Sequence, residues 1–242
     1  MKKVVAVVLA AGRSTRMQSK KSKLLFNFKG KSLIEYVRDA CRDAGFGRII
    51  MVVGHNANEI KNVLGNTVQY VYQYEPRGTA HALIQAKEQL LSYYKGEVLV
   101  LPGDAPFITP WLLQNLIRVH RHTKAAASLL TTVFPAAPPY ARIIRDKEGD
   151  FVRLAEEYSA TPKEKLIREV STTHFCFDAS KIFPLLGSIE NHNCKKEYIL
   201  SDVFELAHNR KLKIATVPFK DCWRLFGINT RTDLAKVRKM LP

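Results

Sequence analysis

The chain has 242 residues, with 38 Lys and Arg against 22 Asp and Glu, a formal charge of +16. Hydrophobic residues at 46% and charged residues at 25% are ordinary globular proportions, which excludes an intrinsically disordered chain and predicts one compact α/β unit spanning 1–242. The longest apolar run, Val4 to Ala11, falls far short of the ~20 residues of a membrane span, and the basic start leads to no signal-cleavage site, so a cytoplasmic protein is expected.

Val4 to Leu9 is a continuous β-rich apolar run, the pattern of a strand buried on both faces of a parallel sheet. It ends at Ala10-Ala11-Gly12. Ser32-Leu-Ile-Glu35 is a capping box that opens a helix through Leu33, Ile34, Val37, Cys41 and Ala44, stopped by Gly45. A strand over Arg48 to Val53, a short helix near Asn58 to Leu64, a strand over Val68 to Tyr72, a helix from about Thr79 to Leu91 and a strand over Val98 to Leu101 follow. Thr109-Pro110 then caps a helix along Leu112, Leu113, Leu116 and Ile117. This alternation predicts a doubly wound, mostly parallel, Rossmann-like sheet with helices on both faces.

After Lys124 the rhythm changes, with strands expected over Ala127 to Val133, Ala141 to Arg145, Phe151 to Ala155 and Val170 to Phe177. Helices return at Leu200 to Asn209 and after the capping box Thr230-Arg-Thr-Asp233. No linker separates the two parts, so the second is read as a β-rich extension of the same sheet that builds one wall of a cleft.

Before Glu35 there is no acidic residue, while Lys2, Lys3, Arg13, Arg16, Lys20, Lys21, Lys23, Lys29 and Lys31 are basic. Such a block serves a phosphate-rich small ligand or a nucleic-acid backbone, or is simply a solvated basic face. The four cysteines lie far apart, and His174-Phe-Cys176 and His192-Asn-Cys194 lack the second ligand pair of a zinc site. They are read as reduced core thiols.

In an open α/β sheet, ligands sit at the carboxyl ends of the strands. After the first strand, Leu9, Ala10, Ala11 and Gly12 are small enough to bring backbone N–H groups close to phosphates, with Arg13, Arg16 and Lys23 to neutralise them. No G-x-G-x-x-G opens a helix, and Gly30-Lys31-Ser32 lacks the first glycine of a P-loop. Gln73 followed by Gly78-Thr79 offers an amide for a base edge and a close backbone approach, or is an ordinary turn. Gly103-Asp104 puts a carboxylate at the end of a buried strand, as a Mg²⁺ ligand or a turn aspartate.

Taken in order, Leu9-Ala-Ala-Gly-x-x-Thr-Arg-Met17 with Lys23, Gln73, Gly78-Thr79, Gly103-Asp104, Glu156-Glu157, Glu197-Tyr198 with Ser201-Asp202, and Gly227-Ile-Asn229 resemble a sugar-1-phosphate nucleotidyltransferase. The likeness covers nearly the whole chain and is greatest to the uridyltransferase half of the bifunctional enzymes that make UDP-N-acetylglucosamine. It implies a nucleotide-binding half over 1–124 and a sugar-binding half over 125–242. It also implies UTP and N-acetylglucosamine 1-phosphate as substrates, Mg²⁺ as cofactor and a place in nucleotide-sugar biosynthesis for the cell envelope. The hexapeptide repeats of the family's acetyltransferase half are absent here, so acetyl transfer is not expected.

By position, the resemblance assigns Arg16 and Lys23 to the triphosphate and Gln73, Gly78 and Thr79 to the uracil, with the backbone near Ala11 and Gly78 orienting the Gln73 amide. Asp104 and the side-chain oxygen of Asn229 would hold Mg²⁺. On the acceptor side it implies Glu156 and Asn229, with Ala141 where the family has glycine and Ser171 and Thr173 where it has asparagine and glycine. Pro102 and Ile199 replace aromatic residues. Three rival readings are a nucleotidyltransferase for a different nucleotide or acceptor, a catalytically silent nucleotide-sugar sensor, and a nucleic-acid binder, although no recognisable nucleic-acid module is present.

Overall fold

The strand Val4–Ala10 (β1) is the centre of the molecule, because its Val and Ala side chains are buried alternately on opposite faces. In the computed structural model, which describes residues 4–13, 22–90, 96–136 and 138–240, β1 pairs in parallel with Ile49–Val53 (β4) and with Glu97–Pro102 (β6). A short hairpin of Asn27–Phe28 (β2) and Lys31–Ser32 (β3) leads into helix Leu33–Asp43 (α1). Helix Ala57–Leu64 (α2) follows β4 and leads to edge strand Gln69–Tyr72 (β5), which is parallel to β4. Helices Thr79–Gln85 (α3) and Lys87–Leu90 (α4) precede β6, and Pro110–Thr123 (α5) follows it.

The chain then adds Ala127–Val133 (β7), the pair Arg142–Arg145 (β8) and Phe151–Ala155 (β9), and the short helix Pro162–Lys165 (α6). Glu169–Asp178 (β10), Ala179–Leu186 (α7), Asp202–Asn209 (α8), Ile214–Pro218 (β11) and Arg231–Met240 (α9) complete it. The nine-stranded sheet runs β11-β7-β10-β6-β1-β4-β5, with β8 and β9 attached beside β10. Strands of both halves of the sequence therefore share one sheet. β10 is antiparallel to both neighbours, β6 and β7, and joins the two parallel blocks.

Val5 and Val7 pack on one face with Leu83 of α3 and Phe204 of α8, while Ala6 and Val8 pack on the other with Val37 of α1 and Leu116 of α5. That is the doubly wound arrangement expected from the alternating pattern. The capping boxes form as expected: Glu35 accepts from the Ser32 N–H at 2.8 Å, and Asp233 accepts from Thr230 N–H at 2.8 Å. Thr109 accepts from the Leu112 N–H.

Three differences from the expected elements have local causes. The helix over 79–91 breaks at Ala86 into α3 and α4, and residues 91–95 lie outside the described set. Helix α7 follows directly on β10 because Asp178 ends the strand and caps the helix, accepting from Ser180 N–H. Strand β11 forms because Ile214 to Pro218 find a parallel partner in β7, about ninety residues earlier. Cys194 is exposed, whereas Cys41, Cys176 and Cys222 are buried, and all four are free thiols. Among the described residues no helix is long and apolar enough to cross a membrane, and no three His, Cys, Asp or Glu side chains gather as a metal cluster.

One glycine stitches the halves together. Gly78 has φ +109°, and a Cβ there would stand 2.8 Å from the Tyr198 nitrogen. Around it the Tyr198 N–H donates to Arg77 O at 2.8 Å, Ala80 N–H donates to Tyr198 O at 2.9 Å, and Leu200 N–H donates to the Thr79 hydroxyl at 2.8 Å. At the start of α8, burial and the neighbouring carboxylates of Glu156 and Glu205 push the Asp202 carboxyl up to about 6.

Gly78→Ala should lower unfolding free energy by about 2–4 kcal/mol in urea titration, since clash and strain act together. Gly149→Ala, at φ +89° in open space, should cost only about 1 kcal/mol. Equal losses would refute the packing role of Gly78. The raised Asp202 pKa favours the folded state in acid and is paid back as pH rises through the folded value, so Asp202→Asn should raise Tm at pH 8 and leave it unchanged near pH 3. A Tm difference independent of pH would contradict this.

Candidate active site

A cavity of about 1120 Å³ opens at the carboxyl ends of β1, β5 and β6, where the βα loops of the sheet converge. Leu9, Ala10, Ala11 and Gly12 line it as expected, with Arg13 beside them. The loop is held tightly: Gly103 N–H donates to Leu9 O at 3.0 Å, and a Cβ on Gly54 would lie 2.8 Å from Ala11 O. Gly54 is a positioning residue that the sequence did not single out, because its need appears only when β4 is set beside β1. Arg16 lies outside the described residues.

Lys23 opens a single 3-10 turn capped by Ser22. Its ammonium forms an ion pair with Asp104 Oδ2 and donates to Asn229 Oδ1 at 2.7 Å. Asp104 stands just beyond β6, and its backbone oxygen accepts from Ile228 N–H at 2.8 Å, which brings the Gly227–Asn229 segment alongside. Asn229 Nδ2 donates to Gly227 O at 3.2 Å, so the amide turns its oxygen toward Lys23. Two oxygen acceptors from distant segments thus converge on one cation, the donor set that a hard divalent ion requires.

Gln73, just after β5 on the cavity wall, is buried. Its Nε2 donates to Gly78 O at 2.9 Å and lies 3.0 Å from His81 Nδ1. Burial and the Arg77 charge hold the His81 pKa below its ordinary value, and the Gln73 and Gln85 amide nitrogens face Nδ1 and Nε2 at 3.0 and 3.1 Å, so the neutral ring accepts from one of the two. Gly78 therefore orients the Gln73 amide as expected, with His81 in the role expected of Ala11, and the carbonyl is left to face a ligand. Thr79 lines the cavity while its hydroxyl accepts from Leu200 N–H.

The acceptor side is built differently from expectation. Ala141 and Ser171 are buried in the sheet, with Ser171 N–H donating to Ala141 O at 2.8 Å, and the Glu156 carboxylate accepts from the Ser201 hydroxyl. None of the three lines the cavity. Ser171 keeps regular pairing with Thr131, and beyond it the pairing of β10 to β7 shifts by two residues before Phe175 meets Leu129. Thr173 sits there at φ +61°, a conformation costly for a β-branched residue. The shift puts Thr172 and Thr173 on the cavity wall instead, with Tyr140, Glu197, Trp223 and Phe226. Tyr140 Oη accepts from Gly227 N–H at 2.8 Å, tying this wall to the Asn229 segment. Thr172, Tyr140 and Trp223 carried no sequence signal, since an isolated aromatic or hydroxyl residue reads equally well as core or turn.

Comparison with known proteins places this geometry. The chain is 40% identical over 238 residues to the bifunctional protein GlmU of Pelotomaculum thermopropionicum, covering 98% of this chain and 52% of that protein. It is 38% identical over 234 residues to the bifunctional protein GlmU of Staphylococcus saprophyticus, covering 97% and 52%. The chain thus spans about half the length of the curated relatives it matches. A crystal structure of UDP-glucose pyrophosphorylase complexed with UDP-glucose superposes with a TM-score of 0.73 at 17% identity, covering 89% of this chain and 90% of that one, a likeness of fold. Residues 6–170 match the MobA-like NTP transferase domain, and the chain belongs to that family of nucleotidyltransferases.

Proposed function

We propose that this chain is a Mg²⁺-dependent uridylyltransferase that converts UTP and a sugar 1-phosphate, N-acetylglucosamine 1-phosphate or a close relative, into a UDP-sugar and pyrophosphate. The observation that carries the reading is the convergence of Asp104 and Asn229 oxygens on Lys23 in the same cavity that exposes Gln73 and the Leu9–Gly12 loop. A phosphate oxygen of the acceptor attacks the α-phosphorus in line. The bond from that phosphorus to the bridging oxygen breaks, and pyrophosphate leaves with its electron pair.

No enzyme nucleophile is needed, so the protein supplies position and charge. Asp104 and Asn229 would hold the Mg²⁺, which when bound offsets the negative charge on the triphosphate. Lys23, displaced from between the two oxygens, turns its charge toward the phosphates, aided by Arg13 and Arg16. The backbone of Leu9 to Gly12 orients the nucleotide, and Gly103 keeps the Asp104 turn close against it. With one Gln73 amide hydrogen given to Gly78 and the other facing His81, its carbonyl on the cavity wall would suit the N3–H of uracil and oppose the N3 lone pair of cytosine. Use of a nucleoside triphosphate donor supports a cytoplasmic setting for the reaction.

Asp104→Ala should lower turnover by about 10²–10⁴-fold while circular dichroism stays unchanged, and excess EDTA should abolish activity. Lys23→Met should also lose turnover, yet in the absence of nucleotide it should bind Mn²⁺ more tightly than wild type by titration calorimetry, because the competing ammonium is gone. Wild-type turnover in Asp104→Ala, or no gain in Mn²⁺ affinity in Lys23→Met, would sink the metal assignment.

UTP should be used over CTP by about 10–100-fold in kcat/KM, the scale of one mispaired polar contact. His81→Leu should narrow that ratio by freeing the Gln73 amide to turn over. Faster use of CTP by the wild type would point to a cytidylyltransferase. Sub-micromolar binding of nucleic acid at ~0.15 M salt without pyrophosphate release would favour the nucleic-acid reading instead.

A further inference from the structure

His174 on β10 has no part in the reaction as described, yet its surroundings are unusual. The ring is wholly buried. Its Nδ1 lies 2.9 Å from the Thr172 hydroxyl, two residues away on the same strand, and its Nε2 has no hydrogen-bond partner. Thr172 lines the cavity. The electrostatic reach of Asp104 extends to the ring, which sets this part of the wall near the triphosphate end of the site.

Burial pushes the His174 pKa down to about 4, so near neutral pH the ring carries one N–H and one lone pair. Which nitrogen holds the proton follows from the partners. The Thr172 backbone carbonyl faces the ring and favours a proton on it, and a carbonyl can only accept. Buried N–H groups without an acceptor are rarer and costlier than buried acceptors without a donor. A proton on Nε2 would be orphaned, whereas a proton on Nδ1 has the Thr172 hydroxyl oxygen before it.

We infer that His174 holds its proton on Nδ1, donates it to Thr172 Oγ1, and thereby turns the Thr172 hydroxyl proton into the cavity as a fixed donor to an acceptor oxygen of the substrate. Thr172 is then a specificity contact and His174 its positioning residue. A sugar hydroxyl could meet a freely rotating threonine in either sense, whereas a locked donor is met only through an acceptor lone pair, and an anionic phosphoryl oxygen makes the strongest such bond. The proximity of Asp104 favours the phosphoryl oxygen of the acceptor. This assignment of the ligand atom rests on the proposed nucleotidyl transfer; the protonation state of the ring does not.

Long-range ¹H–¹⁵N correlation spectra of the whole protein, with His174→Leu to identify the signals, read the ring directly. The expected result is a neutral ring protonated at Nδ1 from pH 6 to 8; protonation at Nε2 overturns the inference whatever the substrate. In pyrophosphate-release assays with UTP, His174→Leu should raise KM for the sugar 1-phosphate roughly tenfold, the loss of one oriented hydrogen bond to an anion, with the KM for UTP unchanged. Its Tm should be no lower, because an orphaned polar atom is removed. Thr172→Val should match it, the double variant should add nothing further, and His174→Asn, which returns a donor at the Nδ1 position, should restore much of the affinity. Uniform loss across all kinetic parameters, or unchanged acceptor KM at full stability, overturns the positioning role.

Glucose 1-phosphate and N-acetylglucosamine 1-phosphate serve as the two probes. An equal KM rise for both supports the phosphoryl oxygen, and a rise confined to the acetylated sugar overturns that choice of atom. If wild type releases no pyrophosphate with either probe, the proposed reaction fails, while the nitrogen signals still decide the state of His174.

Discussion

A single cation bridge organises this molecule. Lys23 comes from the first loop, Asp104 from the end of a central strand and Asn229 from the segment before the last helix, and the three meet on one ammonium. Each is largely shielded from water, so removing any one leaves charge or dipole uncompensated in a low-dielectric setting, which is far costlier than losing an exposed ion pair. The surrounding backbone fixes the geometry. The Asp104 carbonyl accepts from Ile228 N–H, and the third hydrophobic cluster, including Phe107, Phe226, Ile228 and Leu234, packs the final segment against the rest. The C-terminal helix therefore belongs to the site as much as to the fold.

The acceptor wall follows a second constraint, the shift in β10. Between Ser171 and Phe175 the strand carries two more residues than β7 does opposite them, and a bulge of this kind leaves the extra residues unpaired while the facing on either side is kept. Thr172 and Thr173 lie in that stretch and line the cavity. The cost shows at Thr173, whose branched side chain is held at positive φ. Strain kept at a cavity wall is tolerated where the neighbouring pairing over-determines the backbone, as β7 and β8 do on either side of this strand.

The sequence was most readable where the information is local. β1 announces itself by a run of apolar β-formers, α1 and α9 by their capping boxes, and α5 by threonine followed by proline. Asp104 and Gln73 were also within reach, because both follow strands at the edge where α/β sheets bind ligands. Features set by pairing at a distance were not. β11 depends on β7, the demand for glycine at 54 depends on Ala11, and the place of Thr172 and Thr173 on the cavity wall depends on two extra residues in β10 that no spacing encodes.

The clamp at Gly78 limits how such a molecule can diversify. The turn that fixes the Gln73 amide is bonded through backbone atoms to the segment around Tyr198, so a lengthened or reshaped loop there would disturb the Gln73 wall of the cavity at once. The opposite rim, with Pro135, Pro138 and Trp223, carries apolar side chains that exchange with little backbone movement. Variation has room to accumulate on that rim, while the Tyr198 side and the Gln73 wall stay inherited together.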